Sequence, residues 1–468
     1  MSERGLELAQ DKMRDAGVVP AAVDVFTRFY RLLEEDVSGY VREADVEPLS
    51  DLPRAADLTV GPDEAGAALA RTAIIKLNGG LGTSMGMDRA KSLLTVRRTE
   101  DGEDLTFLDV IVRQVRAARA ATGARLPLVL MNSFRTQDDT LAALAPYDDV
   151  AVEGLPLDFL QNREPKLAAD TLEPVDWPAD PTLEWCPPGH GDLYPALHAH
   201  GIVRALLDAG FRYASVSNSD NLGAAPDAEI AAWFAASGAP YAAEMCLKTP
   251  ADVKGGQLVV RKADGRIIQR ETAQTHPDDV EVSLDPTRHR YFHTNNLWFD
   301  LEALAAELDR TGGVLELPLI RNAKTVDPTD PASPEVVQIE SAMGAAVAVF
   351  EGATAIEVGR ERFLPVKTTN DLLLLRSDVY ELTDAYRVVA QVPAPLVQLS
   401  KDYKTIGAFD ARFPAGAPSL RRASGLAVDG DWTFGADVVV QGDAALPAPD
   451  GGAGTVPDGA TVTESGIA

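Results

Sequence analysis

The sequence predicts an α/β fold, a mostly parallel sheet with helices on both faces, preceded by a helical segment and followed by a small β-rich tail. Two observations carry this. From Thr72 to about Arg376, short apolar and β-branched runs alternate with longer stretches of helical periodicity. After about Val392 the helical signals vanish and short runs divided by glycine take over.

Val23, Phe26, Tyr30 and Leu33 recur at helical spacing, with Glu34 and Glu35 beyond, and Pro48, Pro53 and Pro62 then punctuate a loop-rich connection. Strands are expected at 72–77, 126–131, 211–216 and 257–260, and helices at 108–121, 137–144 and 193–208. In such folds ligands gather at the carboxyl ends of strands, beside the point where strand order reverses. The loops directly after strands are therefore where chemistry belongs. In the tail, Val428, Trp432, Phe434, Val438, Val439 and Val440 lie among Gly430, Gly435, Gly442 and Gly459, a pattern of β-hairpins or a few coils of a β-solenoid. The expected division is a helical segment at 1–60, a main domain at 61–390 and a terminal β unit at 391–468.

The formal charge of −28 argues against binding a nucleic-acid polymer through a phosphate-neutralising surface. Anionic substrates would need local cations. Eleven of the 43 basic residues are lysine, so Lys76, Lys91, Lys324 and Lys367, each in or beside a loop, stand out from the background. Cys186 and Cys246 are the only cysteines, too few for a disulfide framework and suited to a reducing compartment. No apolar run approaches the roughly 20 residues of a membrane helix, and no signal segment is visible, so the expected location is cytoplasmic.

The strand at 72–77 runs into Asn78-Gly79-Gly80-Leu81-Gly82-Thr83-Ser84-Met85-Gly86. Glycine lets backbone N–H groups approach a phosphate or a base. A dinucleotide fingerprint would need glycine where Met85 stands. A Walker loop would need Lys-Ser or Lys-Thr where Met87-Asp88 follow. Both readings fail, while Lys91 soon after the loop favours phosphate.

Leu77 to Gly86, with Lys91-Ser92, resembles the nucleotide loop of eukaryotic-type UTP–glucose-1-phosphate uridylyltransferases. It does not resemble the Gly-x-Gly-Thr-Arg loop of the usual bacterial enzyme, or the shorter loop of the UDP-N-acetylhexosamine pyrophosphorylases. Further blocks follow in family order: Leu130-Met131-Asn132-Ser133-Phe134, Pro187-Pro188-Gly189-His190-Gly191-Asp192, Ser217-Asn218-Ser219-Asp220-Asn221, Lys248-Thr249 with Asp252-Val253-Lys254-Gly255-Gly256, Thr294-Asn295-Asn296-Leu297-Trp298, Glu340-Ser341-Ala342-Met343-Gly344, and Arg362-Phe363-Leu364-Pro365-Val366-Lys367.

The resemblance implies a Rossmann-like nucleotidyltransferase fold of the GT-A-like kind, with a mixed sheet and a small C-terminal left-handed β-helix that makes oligomer contacts. It implies UTP and glucose 1-phosphate as substrates and Mg²⁺ as cofactor, with Asp220 as the metal ligand. Leu77, Asn78, Gly79, Gly80, Lys91, Gln161, Gly189, Asp220 and Lys367 would bind UTP, with Gln161 reading the uracil edge. Gly79, Gly80, His190, Asn218, Ser219, Asp220, Glu271, Asn295 and Asn296 would bind the sugar phosphate. Lys367 and Lys91 would be catalytic, and the role of Lys324 stays open. The reaction asks little of the protein beyond positioning and charge neutralisation, because the attacking phosphate oxygen is already anionic.

Three departures from the family pattern leave sugar selectivity open: Met87-Asp88-Arg89-Ala90 before Lys91, Cys186 where tyrosine is usual, and His293 where asparagine is usual. Another hexose 1-phosphate as substrate, or a non-catalytic nucleotide-sugar-binding protein, stays as the alternative.

Overall fold

The computed structural model describes residues 3–35, 39–99, 102–249, 252 and 255–468; Val253 and Lys254 of the Asp252–Gly256 motif lie outside the described residues. A seven-stranded sheet forms its centre. Its strands are β1 (Thr72–Asn78), β2 (Leu128–Asn132), β3 (Asp158–Leu160), β4 (Tyr213–Asn218), β5 (Tyr241–Leu247), β6 (Tyr291–Asp300) and β7 (Thr354–Glu357), in the order β7-β5-β6-β4-β1-β2-β3. The run β4-β1-β2-β3 is parallel, and so is the β5–β7 pair. Strand β6 is antiparallel to both its neighbours, which makes the sheet mixed.

β1 is buried almost throughout, and successive residues serve opposite faces. Ile74, Leu128 and Leu130 join a core with helices Phe107–Thr122, Ala228–Ser237 and Thr369–Arg376. Ala73, Ile75, Val129 and Met131 join the other core, with helices Pro20–Glu34, Leu193–Ala199 and Leu301–Thr311. Helix Phe107–Thr122 starts at a reciprocal Thr106–Asp109 capping box and stops at left-handed Gly123.

The N-terminal segment holds a helix at Glu3–Asp15 besides the expected one at Pro20–Glu34. The helix expected at 193–208 is two helices, Leu193–Ala199 and Ile202–Asp208, parted at Gly201, whose φ is +66°. The strand expected from residue 126 begins at Leu128. Strand Gln257–Arg261 exists but lies outside the central sheet, antiparallel between Val46–Pro48 and Ile267–Arg270. Its short apolar run could not tell a parallel central sheet from a three-stranded antiparallel one.

In the tail, strands Leu396–Leu399, Ser419–Val428, Val439–Leu446 and Thr461–Thr463 pair successively in parallel, and Asp431–Phe434 pairs in parallel with Ala453–Val456. Leu426, Phe434, Val440 and Val462 share one continuous core with helix Phe107–Thr122.

A buried ion pair joins β5 to Arg362. Arg362 Nε donates to Glu244 Oε2 at 3.0 Å and its Nη2 to Oε1 at 2.6 Å, while Trp298 and Asn296 donate to the same carboxylate. Breaking such a pair leaves an uncompensated buried charge. Glu244→Leu is therefore expected to cost about 3–5 kcal/mol in equilibrium denaturation, with far-UV circular dichroism unchanged before the transition.

Candidate functional site

The parallel strands end level with one another: Asn78 lies opposite Asn132, Asn132 opposite Leu160, and Asn218 opposite Leu77. The loops that leave β1, β3 and β4 at this edge touch one another. The glycine loop leaves β1, Gln161 follows β3, and Ser219 and Asp220 follow β4. Ser219 N–H donates to Leu77 O at 3.0 Å, and Gln161 N–H to Asn132 O at 2.7 Å.

Gly79 packs against the amide of Gln161, and a Cβ there would lie 2.6 Å from Oε1. Lys91 N–H donates to Gly80 O at 3.1 Å. Lys91 Nζ lies 2.6 Å from Asp220 Oδ2, 129 residues away in sequence, and both side chains are half-buried. Asn78 is buried, its amide donating to Asn132 Oδ1 and Thr140 Oγ1. It braces two strands rather than facing the cleft.

The Pro187–Asp192 segment is held by the Glu340–Ala346 motif. Gly189 has φ +77°, and a Cβ there would lie 2.6 Å from Ser341 O. Gly191 N–H donates to that oxygen at 2.8 Å, and Ser341 N–H donates to Pro188 O at 3.1 Å. His190 Nδ1 accepts Met343 N–H at 2.9 Å. Burial lowers the ring's pKa to about 4. The neutral ring therefore keeps its proton on Nε2, the nitrogen left free to donate.

Asn295, held at φ +62°, donates through Nδ2 to Asn218 Oδ1 at 3.2 Å. Asn296 is different: it is 1% exposed, it donates to Glu244 and to Arg362 O, and its Oδ1 accepts from Asn221. That amide is fully spent inside the protein. Glu271 accepts from Gln269. Burial raises its pKa, opposed by Gln269 and by the charge of nearby Lys367.

Lys367 is exposed and placed by its backbone. Val366 N–H donates to Asp220 O at 3.2 Å, and Lys367 N–H to Asp371 Oδ2 at 2.8 Å. Lys324 stands apart on an antiparallel pair of strands, 3.7 Å from Glu340. The Glu340–Ala346 block was legible as a motif but not as the clamp on Gly189 and His190, because its partners lie some 150 residues upstream.

Candidate metal ligands converge weakly. Among the described residues no three His, Cys, Asp or Glu side chains form a metal cluster. A lone half-buried carboxylate at the strand ends suits Mg²⁺, which takes one or two carboxylates and completes its shell with phosphate oxygens and water. No helix among the described residues is long and apolar enough to cross a membrane.

A strand-end glycine loop, a carboxylate paired with one lysine and a second lysine one residue beyond a backbone bond to the same turn fit a nucleotide-handling α/β protein. The comparisons narrow the class. The family profile described as UTP–glucose-1-phosphate uridylyltransferase matches residues 23–441. The barley (Hordeum vulgare) protein of that name is 38% identical over 412 residues, covering 86% of this chain and 83% of its own. The Saccharomyces cerevisiae protein is 37% identical over 440 residues, covering 93% and 86%. A solved structure of the UDP-glucose pyrophosphorylase of Leishmania major superposes with a TM-score of 0.90 at 38% identity, covering 99% of both chains. The chain belongs to the UTP–glucose-1-phosphate uridylyltransferase family.

Proposed function

We propose that this protein transfers UMP from UTP to glucose 1-phosphate, reversibly, giving UDP-glucose and pyrophosphate. A non-bridging oxygen of the sugar phosphate attacks the α-phosphorus. The bond from that phosphorus to the bridging oxygen of the β-phosphate breaks, and pyrophosphate leaves in line. No proton has to move to or from the protein. The observation that carries this reading is the Lys91–Asp220 pair beside the Gly79–Gln161 contact, at the common end of β1 and β4.

Gln161 hydrogen-bonds the uracil edge, which suits an amide able to donate and accept. Leu77, Gly79, Gly80 and Gly189 shape the nucleotide cradle, and Asn78 braces it from behind. Lys91 turns from Asp220 to the triphosphate when substrates arrive. Asp220 is the residue that would hold Mg²⁺, whose chemistry is to neutralise charge on phosphate oxygens. His190 donates from Nε2 to the sugar phosphate. Asn218, Ser219, Glu271 and Asn295 engage glucose, and Asn296 supports them from behind. Lys367 steadies charge on the transferring phosphate. The successive parallel pairing after residue 390 supports a β-helix, left-handed as the family resemblance implies, and a homo-oligomer contact through it is part of the same proposal.

The test is pyrophosphate release from UTP and Mg²⁺ with a panel of sugar 1-phosphates. Glucose 1-phosphate is expected to give the highest kcat/KM; no turnover with it would overturn the reading. In the same assay Gly79→Ala is expected to raise the KM for UTP about tenfold, since displacing the Gln161 amide forfeits a hydrogen bond to the base.

A further inference from the structure

We propose that His293 is a positioning residue: its Nδ1 holds the bulge in β6 that presents Asn295 to the sugar half of the site. Along the β5–β6 pair, Ala243 lies opposite Leu297 and Met245 opposite His293. Glu244 alone therefore faces Thr294, Asn295 and Asn296, and the surplus residues must loop out of the ladder. A bulge of this kind orphans backbone donors that need other partners.

Here the side chain two residues earlier supplies each one. Asn295 N–H donates to His293 Nδ1 at 3.0 Å, and Asn296 N–H to Thr294 Oγ1 at 3.2 Å. Thr294 Oγ1 in turn donates to Glu244 O at 2.7 Å, pinning the bulge to β5. The result is a left-handed Asn295, a conformation asparagine tolerates better than most residues, with its amide on Asn218.

The ring itself is costly to keep. His293 is 5% exposed, and its Nε2 is buried without a partner among the described residues. Burial, helped by the nearby His190, lowers its pKa to about 3, so the ring is neutral and Nδ1 stays a free acceptor. Its Cε1 closes against Gly344, where a Cβ would come within 2.9 Å. A ring accepted despite a wasted donor is explained by what its other nitrogen does. No pattern in the sequence marks this role, since the i to i+2 bond has meaning only where the strand bulges.

The inference rests on the sugar-binding reading of Asn295. The test compares His293→Leu, which fills the space without an acceptor, with His293→Asn, whose Oδ1 can occupy the Nδ1 position. His293→Leu is expected to raise the KM for glucose 1-phosphate about tenfold or more, with the KM for UTP within about twofold; His293→Asn is expected to restore most of the loss. Equal KM values in both variants and wild type would overturn the proposal. So would parallel losses for UTP and the sugar phosphate in both variants, which would mark simple packing. A crystal structure of His293→Leu separates this outcome from failure of the functional reading. Asn295 should leave the left-handed region and lose Asn218 whatever the substrate, and an unmoved Asn295 contradicts the proposal.

Discussion

Lys367→Ala is expected to lower kcat by about 10²–10³, the usual cost of removing one preorganised group from a charge that develops in the transition state, while UTP still binds within a few-fold. Two backbone bonds fix where this side chain starts. Val366 N–H is tied to Asp220 O, and Lys367 N–H to Asp371, which also caps helix Thr369–Arg376. Neither bond needs the lysine side chain, so its removal leaves the backbone and the Asp220 turn intact. The side chain is exposed and meets the charge of Glu271. Titration calorimetry with UTP and single-turnover kinetics check the two halves. A variant that keeps its turnover would remove Lys367 from the chemistry.

Asp220→Asn is expected to cost about 10³ in kcat, several kcal/mol of charge stabilisation at 1.36 kcal/mol per decade, and to weaken the dependence of rate on Mg²⁺. The substitution keeps the shape of the turn and the Asp220 carbonyl that receives Val366 N–H. It removes only the carboxylate charge, and with it the partner of Lys91. Apparent Mg²⁺ affinity, read from turnover across a metal titration, should weaken. An unchanged titration would place the metal ligand elsewhere.

Much of the fold was legible because local signals agreed. The buried run of β1, the glycine loop after it and the helix at Gln137–Leu144 each carry their own pattern. What stayed hidden depends on distance or context. Nothing in the sequence of β6 says that it runs antiparallel between β4 and β5. The Arg362–Glu244 pair joins residues 118 apart, and neither neighbourhood names the other. Gly201 breaks a helix whose apolar spacing reads straight through it.

The candidate site divides in the same way. Lys91 and Lys367 were readable as loop lysines in a chain poor in lysine, whereas Gln161 and Asp220 came from the family resemblance; the structure draws Lys91 onto Asp220 and Val366 onto the same turn. Asn296 was indistinguishable from Asn295 in sequence. One step around a bulge decides which amide reaches Asn218 and which is spent on Glu244.

The central claim is a single direct displacement, with the protein supplying position and charge but no nucleophile. It is tested most directly with UTP made chiral at the α-phosphorus by a sulfur substituent. Conversion to the corresponding UDP-glucose should invert configuration at that phosphorus. Retention would require two displacements and a covalent nucleotidyl intermediate on the protein, and would contradict the account.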